Sequence, residues 1–273
     1  MREKKWNLGR FIGRSSALLL LFALLFLMPA QAENADELPK IIIGSDEYQP
    51  YSYYNVDGSP QGVDVELARE AFRRMGYAPV FRPVAWEDKD EALANGEVDC
   101  LWSGFMMNGR EDKYTWARLN LFSRLVAVVR ADSDYADLPD LTGCRAAVQA
   151  TTWAEYLLLR QETPNVPKVD SLYSFSTMEE VFAVMRKGYA DMIVGHECTL
   201  NIFLAENEGR YRMLENTLGT AELGVAFQKG THEELARQLE QTMAEMAADG
   251  TVAEILTAYG VNGIVRMGGI ESK

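Results

Sequence analysis

Histidine and cysteine are scarce in this chain of 273 residues, with two of the first and three of the second. Zinc centres draw most of their ligands from those two residue types, so with only His196 and His232 the carboxylates would have to do nearly all the ligation. No metal or other resident cofactor is expected. His196-Glu197 has no second histidine four residues on, which removes the helical metalloprotease motif. The G-x-S-x-G nucleophile turn, the G-x-x-x-x-G-K-[ST] phosphate loop and the G-x-G-x-x-G dinucleotide turn are also missing. Cys100, Cys144 and Cys198 allow one disulfide at most. Their flanks, such as Val98-Asp99-Cys100-Leu101-Trp102, read as strands, so three buried small side chains are expected.

Basic residues are short as well, 27 against 40 acidic ones. Five of those 27 and one of those 40 fall in residues 1–32, and without that segment the chain carries 22 against 39, a net charge of −17. Such a body repels nucleic acid and anionic lipid, and it favours a cationic or zwitterionic small ligand. The segment itself has the opposite character. Arg2, Lys4, Lys5, Arg10 and Arg14 precede an apolar run over residues 17–30, followed by Ala30-Gln31-Ala32 and then Glu33 and Asp36. A basic start, an apolar run and an A-x-A site make a secretory signal over residues 1–32, with the mature chain beginning at Glu33. The run of 14 residues is shorter than the roughly 20 that span a bilayer. A periplasmic or secreted protein is expected, and the other reading is an uncleaved membrane anchor. No cysteine lies near the end of the run, so a lipoprotein anchor is not indicated.

The remaining residues, about 241 of them, are enough for a large core in one body or two lobes. Short apolar runs alternate with capped helices. Ile41-Ile42-Ile43, Val98 to Trp102, Ala146-Ala147-Val148 and Met192-Ile193-Val194 read as buried strands. Asp64 reads as the cap of a helix carrying Leu67, Ala71 and Phe72, stopped by Gly76, and residues 88–95 as a short helix. Thr152, Thr177 and Thr231 each stand three residues before Glu155, Glu180 and Glu234, the spacing of a capping box. This alternation predicts an α/β architecture with largely parallel strands. Tyr48, Tyr51, Tyr53 and Tyr54 crowd the loop after the first strand, and Trp86 follows another strand. From pattern alone these aromatics are lids on the core. The helix opened by Thr152 offers free N–H groups and a positive dipole end, which suit a carboxylate.

Several short motifs, in order, resemble one family. Gly62-Val63-Asp64-Val65-Glu66-Leu67-Ala68, Leu93-Ala94-Asn95-Gly96-Glu97-Val98-Asp99, Asp140-Leu141-Thr142-Gly143, Val148-Gln149-Ala150-Thr151-Thr152 and Gly188-Tyr189-Ala190-Asp191 are similar to those of the family 3 extracellular solute-binding proteins that serve polar amino-acid ABC importers. The resemblance runs from about residue 38 to 260. It implies a bilobal periplasmic-binding-protein fold of type II, with lobe one at 38–128 plus 224–265, lobe two at 129–223, and crossings near Val129-Arg130 and Leu223-Gly224. It implies a monomer that closes on a small molecule and is read by a membrane permease.

Site residues carry over by position. Tyr48 and Trp86 match two aromatics that pack on the ligand, and Asp46 a residue that meets a basic side chain. Ser103 and Gly104 match the loop whose backbone meets an α-ammonium, and Thr151 and Thr152 the helix start that takes the α-carboxylate. Two stretches depart from the family. Its T-x-x-R reads Asn108-Gly109-Arg110-Glu111 here, so Arg110 either clamps a carboxylate opposite Thr152 or lies on the surface. Its ammonium-binding Asp is replaced by His196, with Glu197 beside it. Two other roles stay open for the same module: a sensor signalling to a membrane kinase, and an enzyme like the periplasmic cyclohexadienyl dehydratases. The enzyme would need Glu197, Glu111 or His196 as its acid-base residue.

Overall fold

Ile41-Ile42-Ile43 forms the middle of β1 (Lys40–Ser45), and Ile43 is fully buried, as a strand covered on both faces requires. The description is a computed structural model covering residues 38–161, 163–261 and 266–267; the expected signal segment lies outside them. Among the described residues no helix is long and apolar enough to cross a membrane.

A crossover through α1 (Val63–Arg74) returns the chain to β4 (Ala78–Pro83), parallel to β1. Leu67, Ala68, Ala71 and Phe72 turn the buried face of α1 onto the sheet, and Gly76, at φ 79°, ends it. Asp64 does not cap this helix. Gly62 does, and Asp64 lies within the first turn, where its carboxylate accepts a 2.6 Å hydrogen bond from the Gly104 N–H. A hairpin of β2 (Tyr53–Tyr54) and β3 (Pro60–Gln61) precedes the helix. A 3-10 turn (Trp86–Asp88) and α2 (Lys89–Ala94) then lead to β5 (Cys100–Leu101). This strand is shorter than expected, because past Trp102 the chain turns through Gly104 at φ 56°.

Two long antiparallel strands, β6 (Tyr114–Arg130) and β10 (Tyr211–Gln228), carry the rest. Between them in sequence come β7 (Arg145–Gln149), α3 (Trp153–Arg160), β8 (Ser171–Phe175), α4 (Met178–Arg186), β9 (Met192–His196) and α5 (Glu197–Glu206). After them come α6 (Glu233–Ala248), packed on β6 and α1, then α7 (Thr251–Ala258) and β11 (Arg266–Met267). Among the described residues the strand order is β4-β1-β5-β10-β6-β9-β7-β8, with β11 on β6.

The near ends of β6 and β10 belong to the first group of strands, and the far end of β6 pairs with β9 from Leu125 on. β6 keeps β10 beside it throughout, but on its other edge it exchanges β11, paired at Leu121 and Phe122, for β9 from Leu125 on, just past Asn120 at φ 54°, while β10 shifts register between Leu223 and Gly224. Val129-Arg130 lies at the end of β6, beyond this exchange.

Of the three expected capping boxes, Thr177 closes one in both directions with Glu180. Thr152 caps α3 alone, and the Glu155 carboxylate takes the Thr151 N–H instead. Thr231 makes none: its hydroxyl donates to the Gln228 carbonyl at 2.7 Å, and α6 starts after His232 at φ 54°. Cys100, Cys144 and Cys198 are buried and unpaired, as expected. Burial pushes the Cys144 and Cys198 thiols up to about 12.

Candidate functional site

Strand ends from both halves of the sheet meet at one small cavity of about 30 Å³. Eight of the ten expected site residues line it: Asp46, Tyr48, Trp86, Ser103, Gly104, Arg110, Thr152 and His196. Asp46 follows β1 and is held dry, accepting 2.7 Å from the Ser103 hydroxyl and 2.8 Å from the Gln149 amide. Burial raises its pKa, against the pull of those two hydrogen bonds. Gly104 is required where it stands, since a Cβ there would lie 2.9 Å from the Tyr51 ring.

Arg110 is re-aimed by the turn at Gly109, at φ 74°, and does not face bulk solvent. Its guanidinium donates 2.7 Å to the Thr151 carbonyl and 3.2 Å to the Met106 carbonyl, and lies 5.2 Å from the centre of the Phe105 ring. Thr151 sits at the rim in a left-handed conformation, φ 57°, and its hydroxyl accepts 2.8 Å from Lys89 Nζ. The Thr152 hydroxyl is engaged as a cap, accepting from Glu155 N and donating 2.7 Å to the Gln149 carbonyl.

His196 ends β9 inside the cleft. Its Nδ1 is 2.9 Å from the Ser123 hydroxyl and 3.1 Å from the Tyr51 hydroxyl, and Tyr48 packs edge-on at 5.3 Å. Burial pushes the imidazole down to about 3, against a hydrogen bond to the Gly104 backbone, so the ring is neutral near pH 7. Glu197 is not brought to the cavity: it turns into α5 and pairs with Arg124 at 3.1 Å. Glu111 is exposed. Among the described residues, Asp46 is the one carboxylate that lines the cavity.

Sequence reasoning missed Gln149, Lys89, Phe105 and Trp153. Gln149 ends β7 inside the quoted Val148-to-Thr152 motif, which was its available signal. Its side-chain amide oxygen, Oε1, is buried and without a partner among the described residues, an acceptor at the cavity wall. Trp86 packs edge-on against Phe105 at 4.7 Å, and Phe105 in turn meets Tyr114 and Trp116. Trp153 borders the cavity and lies over Gly219 of β10, where an added Cβ would be 2.4 Å from the indole. Gly219→Ala is expected to displace Trp153 and to cost ~1–3 kcal/mol by overpacking, read by urea unfolding with tryptophan fluorescence. An unchanged midpoint would show that the ring yields freely.

A larger hollow of about 570 Å³ near Asp137, Pro139, Lys168 and Asn216 has no aromatic lining and no fully buried charge. Among the described residues no group of three His, Cys, Asp or Glu is placed to hold a metal ion.

The model of the bacterial extracellular solute-binding proteins, family 3, matches residues 41–262. The chain belongs to this family. Among its relatives is the L-cystine-binding protein TcyA of Bacillus subtilis (strain 168), 24% identical over 211 residues, which cover 76% of each chain. The structure of Tv2483 bound to L-arginine superposes with a TM-score of 0.76 at 23% identity, over 85% of this chain and 95% of that one. The ancestral amino-acid-binding protein AncCDT-1, described as a precursor of cyclohexadienyl dehydratase, gives 0.72 at 22% identity over 81% and 95%. The fold of this solute-binding protein is therefore the bilobal α/β fold of type II periplasmic binding proteins.

Proposed function

We propose that this solute-binding protein is an extracytoplasmic receptor that closes on a polar amino acid or a related small molecule and delivers it to an ABC permease. One observation carries the reading: a buried carboxylate, Asp46, and a half-buried guanidinium, Arg110, border the same aromatic-walled cavity. That pair suits the two charges of a zwitterion. Relatives that bind cystine and arginine support the same class of ligand. The cavity has room for about two water molecules by the usual ~10–15 Å³ each, so admitting an amino acid requires the walls to part. The two groups of strands serve as the lobes, about 38–128 plus 224–265 and 129–223. The change of β6's outer neighbour between Phe122 and Leu125, with the β10 shift at Leu223-Gly224, supplies the hinge, a few residues before Val129-Arg130.

Binding without turnover is favoured by the pairing of Glu197 with Arg124 and by the depressed, neutral His196, which leave no free acid-base pair facing the cavity. A thermal-shift panel of the amino acids tests the reading. A cognate ligand at 100 times its Kd adds ~2.7 kcal/mol of stability and is recovered unaltered by mass spectrometry. A panel in which no amino acid raises Tm, or recovery of a converted ligand, would overturn it.

A further inference from the structure

Lys89 is a lysine where a helix start on the surface would be expected. It opens α2, but its side chain turns inward and is 2% exposed. Nζ donates 3.0 Å to the Trp86 carbonyl and 2.8 Å to the Thr151 hydroxyl, and lies 5.1 Å from the centre of the Trp86 ring. Two of its three N–H donors are thereby accounted for. Its neighbour Asp90 is held by Lys113 and Tyr114 instead. Arg110 reaches the same residue from the other side, through the Thr151 carbonyl at 2.7 Å. Among the described residues neither cation has a carboxylate at ion-pair distance. Both therefore converge on the start of α3, whose dipole end is also positive.

The negative side of the ledger is thin. Among the described residues Asp46 is the one carboxylate lining the cavity, and its oxygens already accept from Ser103 and Gln149. His196, in the wall opposite, is neutral and adds no negative charge. Arg110 in the cavity wall, Lys89 behind Thr151 and Trp86, and the α3 dipole thus stand against Asp46 in the lining and Glu155, which holds the Thr151 N–H, at the rim. A ligand with two cationic groups would find an acceptor for one and repulsion for the other in a desolvated site, where charges act strongly.

We propose that Lys89 is a specificity-determining residue that, with Arg110, makes this cleft reject ligands of net positive charge and select neutral or acidic ones carrying a carboxylate. The site thus runs against the acidity of the whole chain, whose net charge would draw cations. The proposal rests on the ligand reading above and narrows its class. It sets this protein apart from its arginine-bound structural neighbour.

The test uses probes paired by shape and separated by charge: arginine with citrulline, then glutamate, succinate and putrescine, each by isothermal titration on the purified protein. Citrulline is expected to bind about tenfold or more tighter than arginine, and putrescine not at all. In Lys89→Met, an apolar side chain of similar length, the citrulline-to-arginine ratio should fall by about threefold or more. Arginine binding as tightly as citrulline, or any binding of putrescine, overturns the proposal and leaves the amino-acid reading standing. Succinate binding while no amino acid binds overturns that reading and supports the charge selection. Silence from every probe overturns both. Should Lys89→Met fail to fold, the wild-type ratio decides alone. A ratio unchanged in a folded Lys89→Met removes Lys89 from the mechanism.

Discussion

Arg110→Ala is expected to weaken ligand binding by ~2–5 kcal/mol, the loss seen when one member of a desolvated, hydrogen-bonded charge pair is removed. The argument is geometric. The guanidinium is held by the Met106 and Thr151 carbonyls and by the face of Phe105, so its orientation towards the cavity is set before any ligand arrives. Burial lowers its pKa, but an arginine stays charged at any physiological pH. Arg110→Lys should not restore affinity, because an ammonium cannot hold two carbonyls in the planar fork and still present a donor pair to a carboxylate. Isothermal titration with the ligand found in the amino-acid panel reads the effect. An Arg110→Ala protein of unchanged affinity would mean that the guanidinium is only a strut between Met106 and Thr151.

Two buried groups are expected to oppose one another as pH falls. His196 is pushed from an ordinary value near 6.5 down to about 3, so the folded state prefers it neutral. Its contribution is fully present above pH 6.5 and is lost as pH falls from there towards 3, by about 5 kcal/mol. Asp64 is the reverse case. Burial raises it from 3.8 to about 7, against the hydrogen bond from Gly104, so the folded state prefers it protonated. Its contribution is fully present below pH 3.8 and is lost as pH rises through 7, by a similar ~4 kcal/mol. Over pH 4–6.5 the two slopes largely cancel. His196→Gln is therefore expected to gain stability on acidification relative to the wild type, and Asp64→Asn to lose it more steeply. Urea titrations at a series of pH values measure both. Parallel curves for wild type and His196→Gln would mean that the imidazole is not desolvated in the native state.

The reading of the fold from sequence succeeded where a pattern is local. Runs such as Ile41-Ile42-Ile43 and Met192-Ile193-Val194 are buried strands because nothing else satisfies so continuous an apolar stretch. Caps were harder. Thr231 and Thr177 present the same spacing, but at Thr231 the hydroxyl finds the Gln228 carbonyl first and the helix starts one residue later. The lining of the cavity was legible where the family resemblance carried positions over, at Asp46, Tyr48, Ser103 and Gly104. The site was not legible where a long side chain chose between solvent and interior. Lys89 drew no reading beyond its place in the short helix over 88–95, because its burial depends on Thr151, a residue 62 positions away. Glu197 misled for a related reason: its partner, Arg124, lies on a strand whose pairing with β9 no local pattern reveals.

The position of β10 within the sheet bears on when this chain can finish folding. β10 lies between β5 and β6, so until residues 224–228 leave the ribosome those two strands expose unpaired edges to one another. α6, which covers β6 and α1, is made later still. A chain built in this order cannot complete its first group of strands from its N-terminal portion, and long-range pairing of this kind is slow. The strand order itself delays the native state until most of the polypeptide has been synthesised.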